Sequence, residues 1–123
     1  MIAADTSTWI SFFQGDQGED VRLLSRALRD RQLRMPPPVL TELLSDPGLS
    51  SSVAQTLSEV PLIELQEGHW RRAGRLRAKV LARKRKARLG DALIAQCCID
   101  AEIMLITRDR EFEAFAGTLN LPK

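Results

Sequence analysis

Four carboxylates stand where their chemistry would converge: Asp5, Glu42, Asp91 and Asp109. Asp5 closes a short apolar run and is followed by the hydroxyls of Thr6 and Ser7. Asp109 comes just after the apolar run Ile103 to Thr107, while Glu42 and Asp91 sit early in segments with helical spacing. In a parallel α/β domain, strand ends and helix starts share one edge of the sheet, the edge where ligands bind. Each acid also has a plainer reading. Asp5 and Asp91 stand where helix N-caps stand, Asp109 suits a turn, and Glu42 suits an exposed helix position. Together they would repel, by roughly 4 kcal/mol for two charges 4 Å apart at an effective dielectric near 20, unless cations occupy the site. With no cysteine or second histidine at ligand spacing, every donor is oxygen and the matching ions are Mg²⁺ or Mn²⁺. Such a centre activates water and stabilises charge on a phosphodiester during in-line attack. Glu111, two residues past Asp109, is placed to share its work.

The elements that must hold these acids are legible to different degrees. Ile2 to Ala4 is assigned as a strand from context, since alanine is a poor strand former. Helical spacing predicts helices over Thr8 to Gln14, with Trp9, Ile10, Phe12 and Phe13 on the apolar side, and over Asp20 to Asp30. Gln32 to Met35 is read as a short strand. Pro36 to Pro38 then opens a helix carrying Val39, Leu40, Leu43 and Leu44, which ends at Asp46-Pro47-Gly48. Glu42 falls about 60° outside the edge of that apolar arc, so it can look past the core into a cleft. Ser50 to Glu59 reads as a helix, Leu62 to Leu65 as a strand, and Glu67 to Lys84 as a long helix with Trp70, Ala73, Leu76 and Val80 inward. Leu89 to Ile99 is apolar nearly all round after Asp91, as in a packed helix. Ile103 to Thr107 is the strongest strand, Glu111 to Ala116 a last short helix, and Leu119 to Leu121 a small edge strand. Strands alternating with helices predict one α/β domain over residues 1–123, with a mainly parallel central sheet.

Composition excludes several classes. At 123 residues the chain suits a single domain that buries roughly 65% of its extended surface. No apolar run approaches the roughly 18 residues of a membrane span, and Asp5 interrupts any signal-like start, so a soluble cytoplasmic protein is expected. Cys97 and Cys98 are adjacent on a helix, point about 100° apart and read as core residues, as does the lone His69. The net charge is +2, but ten of the 18 lysines and arginines lie between Arg71 and Arg88 with no acid among them, leaving eight against 16 acids elsewhere. A basic strip beside an acidic remainder suggests a polyanion or an acidic protein partner. As a phosphate track, Arg83, Lys84, Arg85, Lys86 and Arg88 would guide RNA toward acids that alone repel it.

Asp5-Thr-Ser-Thr-Trp9, Val39-Leu-Thr-Glu-Leu43, Leu89-Gly-Asp-Ala-Leu-Ile-Ala95 and Leu105-Ile-Thr-Arg-Asp-Arg-Glu-Phe112 occur in an order that resembles a PIN domain, and at this size the VapC toxins of type II toxin-antitoxin pairs. The resemblance covers essentially the whole chain. It implies a three-layer α/β/α fold and a Mg²⁺- or Mn²⁺-dependent endoribonuclease with Asp5, Glu42, Asp91 and Asp109 as its acidic quartet. Thr6 or Ser7, together with Thr107, would give hydroxyl support. It further implies a homodimer, a structured RNA substrate such as tRNA, and a cognate VapB-type antitoxin that blocks the site. The basic loop before Leu89 lacks the family's usual glycine. The competing reading from another class is a non-catalytic RNA-binding module; a receiver-like phosphoryl-transfer domain lacks its Asp-x-Asp pair and its lysine.

Overall fold

Ile2–Ala4 forms β1, and in the computed structural model, which describes residues 1–122, it runs parallel to β2, Met104–Ile106, with Ile2 opposite Met104 and Ala4 opposite Ile106. Past β1 the sheet continues only through single parallel bridges, Ile2 to Leu33 and Met35 to Leu62. On the other side the Leu105 amide donates to the Asn120 carbonyl at 2.9 Å. The strands expected at Gln32 to Met35, Leu62 to Leu65 and Leu119 to Leu121 are therefore reduced to bridges and single hydrogen bonds. Proline is the physical reason. Pro36 to Pro38 follow Met35, Pro61 precedes Leu62 and Pro122 follows Leu121, and each removes an amide that a ladder requires. Ala3 and Ala4 are weak by propensity yet fully buried; their small side chains let helices approach the sheet closely.

Six helices carry the rest: α1 Thr6–Phe13, α2 Glu19–Arg29, α3 Pro37–Leu44, α4 Ser51–Ser58, α5 His69–Ala82 and α6 Leu89–Ala101, followed by a 3₁₀ segment, Arg110–Phe115. The chain steps outward from β1 through Leu33 to Leu62, then returns to β2 on the opposite side of β1. Right-handed crossovers place α1 to α4 on one face and α5, α6 and the 3₁₀ segment on the other. α1 packs on α2 and α3, α5 and α6 pack on each other and on the 3₁₀ segment, and α3 also meets α6 across the edge of the sheet where the acids lie. The result is the expected α/β fold with a parallel sheet between helices. Its core holds Trp9, Leu24, Met35, Leu57, Ile94, Leu105, Ile106 and Phe112, with the free thiols of Cys97 and Cys98 buried among them.

Several boundaries move for local reasons. α1 begins at Thr6 rather than Thr8 because Asp5 is its cap: the Thr8 amide donates to Asp5 Oδ1 at 3.1 Å. α5 begins at His69 rather than Glu67, after Gly68 in a left-handed conformation with φ 83°, and stops at Ala82 before Lys84, whose φ is 60°. The last short helix starts at Arg110 and is 3₁₀, capped by Asp109. Trp70, expected inward, is 65% exposed, and part of the basic strip is tied down within the molecule. Arg72 pairs with Asp100 at 2.7 Å, Arg77 Nε donates to the Ala87 carbonyl at 2.7 Å, and Arg83 Nη2 donates to the Ala114 carbonyl at 2.9 Å. Among the described residues no helix is long and apolar enough to cross a membrane.

Candidate metal centre

Because the connections after β1 and β2 depart in opposite directions, the carboxyl ends of these two neighbours open a crevice between them. Asp5 ends β1 and sits at its back. Its amide donates to the Ile106 carbonyl at 3.0 Å, tying the two strand ends together. The residue is 3% exposed, and its carboxylate accepts from Ser7 Oγ at 2.8 and 3.0 Å, from the Thr8 amide and from Thr107 Oγ1 at 2.7 Å. Asp5 thus caps α1 and at the same time lines the cleft. Burial raises its pKa above the ordinary 3.8, outweighing the hydrogen bonds from Thr107, Ser7 and Thr8 that pull it down.

Asp91 enters from the first turn of α6, where the positive end of the helix favours a carboxylate. Asp109 lies just past β2, held by two local bonds: its amide donates to Thr107 Oγ1 at 2.9 Å, and its Oδ1 accepts from the Glu111 amide at 2.9 Å. That turn brings Glu111 round to the same place. One ligand oxygen each of Asp91, Asp109 and Glu111 lies within 4.8 Å of the others. Asp5 and Glu42 are outside that close set, on other walls of the same cleft. Glu42 is held by Thr6, whose Oγ1 donates to Glu42 Oε1 at 2.9 Å. The cleft measures about 370 Å³ and is lined by Asp5, Thr6, Ser7, Ile10, Glu42, Arg88, Gly90, Asp91, Ile94, Asp109 and Phe112. A larger cleft of about 590 Å³, lined by Leu28, Arg31, Arg34, Thr56 and Glu59 among others, gathers one acid and no comparable chemistry.

Arg88 is the feature the sequence reading placed elsewhere. Expected to contact phosphate with Arg83 to Lys86, it turns instead into the acids: Nε donates to Asp91 Oδ2 at 3.1 Å, Nη2 donates to Asp109 Oδ2 at 2.7 Å, and Nη2 lies 3.2 Å from Glu111 Oε2. The i, i+3 spacing of Arg88 and Asp91 at a helix start was the available signal. Asp91 is raised by burial first, with Arg88 pulling it down and Asp109 and Glu111 pushing it up. Four acids line the cleft, Asp5, Glu42, Asp91 and Asp109, against the single guanidinium of Arg88, which leaves it strongly negative. All the acid donors are oxygen, so a hard cation such as Mg²⁺ or Mn²⁺ fits the set better than zinc or a softer ion. Ser7 and Thr107 donate to Asp5, and Thr6 donates to Glu42.

Lys84, Arg85 and Lys86 are exposed, in the turn between α5 and α6. A second pairing escaped the sequence reading. Arg108 forks onto Asp20, with Nε to Oδ2 at 2.8 Å and Nη2 to Oδ1 at 2.9 Å, and Thr8 Oγ1 donates to the same Asp20 Oδ2 at 3.0 Å. Residues 88 positions apart give no local pattern to betray such a contact.

Comparison with protein-family models matches residues 2–118 to the PIN domain. The chain belongs to the PIN domain family. Among solved structures, the PIN fold here resembles a chain of VapBC2 from Rickettsia felis bound to a DNA fragment from their promoter, at 20% identity and TM-score 0.76, covering 99% of this chain and 98% of that one. DNA-bound VapBC from Salmonella typhimurium matches at 20% identity and TM-score 0.70, with 99% and 98% covered. FitAcB from Neisseria gonorrhoeae matches at 18% identity and TM-score 0.68, with 100% and 97% covered. At these identities the likeness is one of fold. A search of curated proteins gave no significant match.

Proposed function

We propose that this PIN domain is a metal-dependent endoribonuclease of the VapC type, a toxin that cleaves structured RNA such as tRNA to inhibit translation. The observation that carries the reading is the meeting of Asp91, Asp109 and Glu111, with ligand oxygens within 4.8 Å, at the crevice that Asp5 closes from behind. Asp91, Asp109 and Glu111 would hold Mg²⁺ or Mn²⁺, with Asp5 and Glu42 adding charge from the other walls. When bound, the ion supplies a more acidic water and neutralises charge on the phosphodiester. The chain's own residues do the positioning. Ser7 and Thr107 fix the oxygens of Asp5, Thr6 fixes Glu42, and the Thr107 hydroxyl also fixes the Asp109 backbone. Lys84, Arg85 and Lys86 would draw the RNA backbone toward the acids.

Structural likeness to chains of VapBC complexes supports a VapB-type antitoxin as the partner; a cytoplasmic homodimer belongs to the same proposal. The test is cleavage of tRNA by the purified protein. Cleavage should require Mg²⁺ or Mn²⁺, stop with chelator and vanish in Asp91→Asn while the fold is retained. RNA binding without cleavage under all these conditions would turn the assignment toward a non-catalytic RNA-binding module. Growth arrest on expression, relieved by a neighbouring antitoxin gene, tests the biological role.

A further inference from the structure

The three acids that come closest together are the same three that Arg88 touches. Its guanidinium spans Asp91 Oδ2 at 3.1 Å, Asp109 Oδ2 at 2.7 Å and Glu111 Oε2 at 3.2 Å. A divalent ion held by these three acids would lie close to the guanidinium already bonded to them, and the two cations would repel and compete for the same carboxylates. We infer that Arg88 is an internal counter-cation of this centre, displaced whenever a divalent ion binds, so that loading is an exchange of cations. The inference rests on the metal reading above and adds to it a residue that sets how tightly the metal is held.

The surroundings of Arg88 permit the exchange. Its side chain is 64% exposed and can swing to water without unpacking the core. Its backbone is extended at φ −66° and ψ 148°, at the N-cap of α6, and the side chain makes no capping bond that would be lost. Without metal, the arginine offsets repulsion among three carboxylates; with metal, that offset becomes competition.

Calorimetric titration of the metal-free full chain with Mn²⁺ alone tests this, comparing wild type with Arg88→Gln and Arg88→Lys at fixed pH and ionic strength. Arg88→Gln should bind Mn²⁺ more tightly, on the order of tenfold, the scale of removing one unit charge beside a divalent ion in a half-exposed site. Arg88→Lys, which reaches one carboxylate at a time, should fall between the two. Thermal unfolding provides a second readout. In chelator Arg88→Gln should melt below wild type, and saturating Mn²⁺ should raise its midpoint by more. Equal or weaker Mn²⁺ binding by Arg88→Gln, or an equal rise in midpoint, overturns the exchange. If Asp91→Asn then abolishes Mn²⁺ binding, the metal centre itself stands. Absence of Mn²⁺ binding in both wild type and Arg88→Gln overturns the centre and the exchange together.

Discussion

The Thr107 hydroxyl donates to Asp5 Oδ2 at 2.7 Å and accepts from the Asp109 amide at 2.9 Å, so one side chain holds the acid after β1 and the backbone of the acid after β2 in a fixed relation. Thr107→Val keeps the shape and removes both bonds. Asp5 then loses a strong donor and the Asp109 turn loses its anchor. RNA cleavage should fall by roughly 10- to 100-fold, the usual scale for groups that orient metal ligands. Wild-type turnover in Thr107→Val would remove the hydroxyl from the positioning machinery.

Removing a metal ligand should cost more. Asp91→Asn is expected to lower cleavage by at least about 100-fold while leaving the circular dichroism spectrum unchanged. Glu111→Gln should show a loss of the same kind, because Glu111 stands within the close set. Glu111→Gln with full activity and unchanged Mn²⁺ binding would return the ligand role to the original quartet.

The acids also predict opposite pH dependences. Burial raises Asp5 above 3.8, so folded protein binds the proton more tightly than unfolded protein. The stability this contributes is present below the unfolded value and is lost as pH rises through the folded-state pKa. In chelator, Asp5→Asn should therefore be more stable than wild type at neutral pH, with the gap closing on acidification. Asp20 is lowered: its burial is outweighed by the bonds from Arg108 and Thr8. Its contribution is present above 3.8 and lost as pH falls through the folded-state value, so Asp20→Asn should be the less stable protein at neutral pH. Denaturant midpoints measured from about pH 3.5 to 7.5 check both signs.

The Arg108–Asp20 fork has a close neighbour. A Cβ on Gly18, whose φ is 151°, would lie 2.6 Å from Asp20 Oδ1 and 3.0 Å from Arg108 Nη2. Gly18→Ala should lower stability by about 1 to 3 kcal/mol through strain and a disturbed pair. In Arg108→Ala the added cost of Gly18→Ala should shrink, since the pair is already gone. Strict additivity in urea denaturation of the four proteins would show that the clash is absorbed elsewhere.

Lys84, Arg85 and Lys86 are the clean probes of a phosphate track, because Arg83 is bound to the Ala114 carbonyl and Arg88 to the acids. Changing the three to glutamine should weaken RNA binding and reduce the slope of log K against log salt by up to about 2, at roughly 0.7 per single-strand contact. An unchanged slope in filter binding would remove the track.

The fold class and the donor types of the cleft were legible without coordinates. Donor type does not depend on geometry, so a chain with acids after its apolar runs and no nearby thiol or second imidazole offers only oxygen donors where those acids meet. Strand-helix alternation likewise specified a parallel α/β sheet, because each period reflects which side chains must be buried. Asp5, Glu42, Asp91 and Asp109 were all legible as cleft residues for that reason. Three things were decided only by tertiary structure. Glu111 joined the closest acids because the Asp109 turn redirects the chain. Arg88 left the basic strip because a negative cleft attracts the nearest free cation. The outer strands shrank to bridges because prolines beside them withhold amides. The prolines, the Arg88–Asp91 spacing and the Asp109–Glu111 spacing are all local, but that Arg88 reaches Asp109 and Glu111 depends on where segments far apart in the chain come to lie.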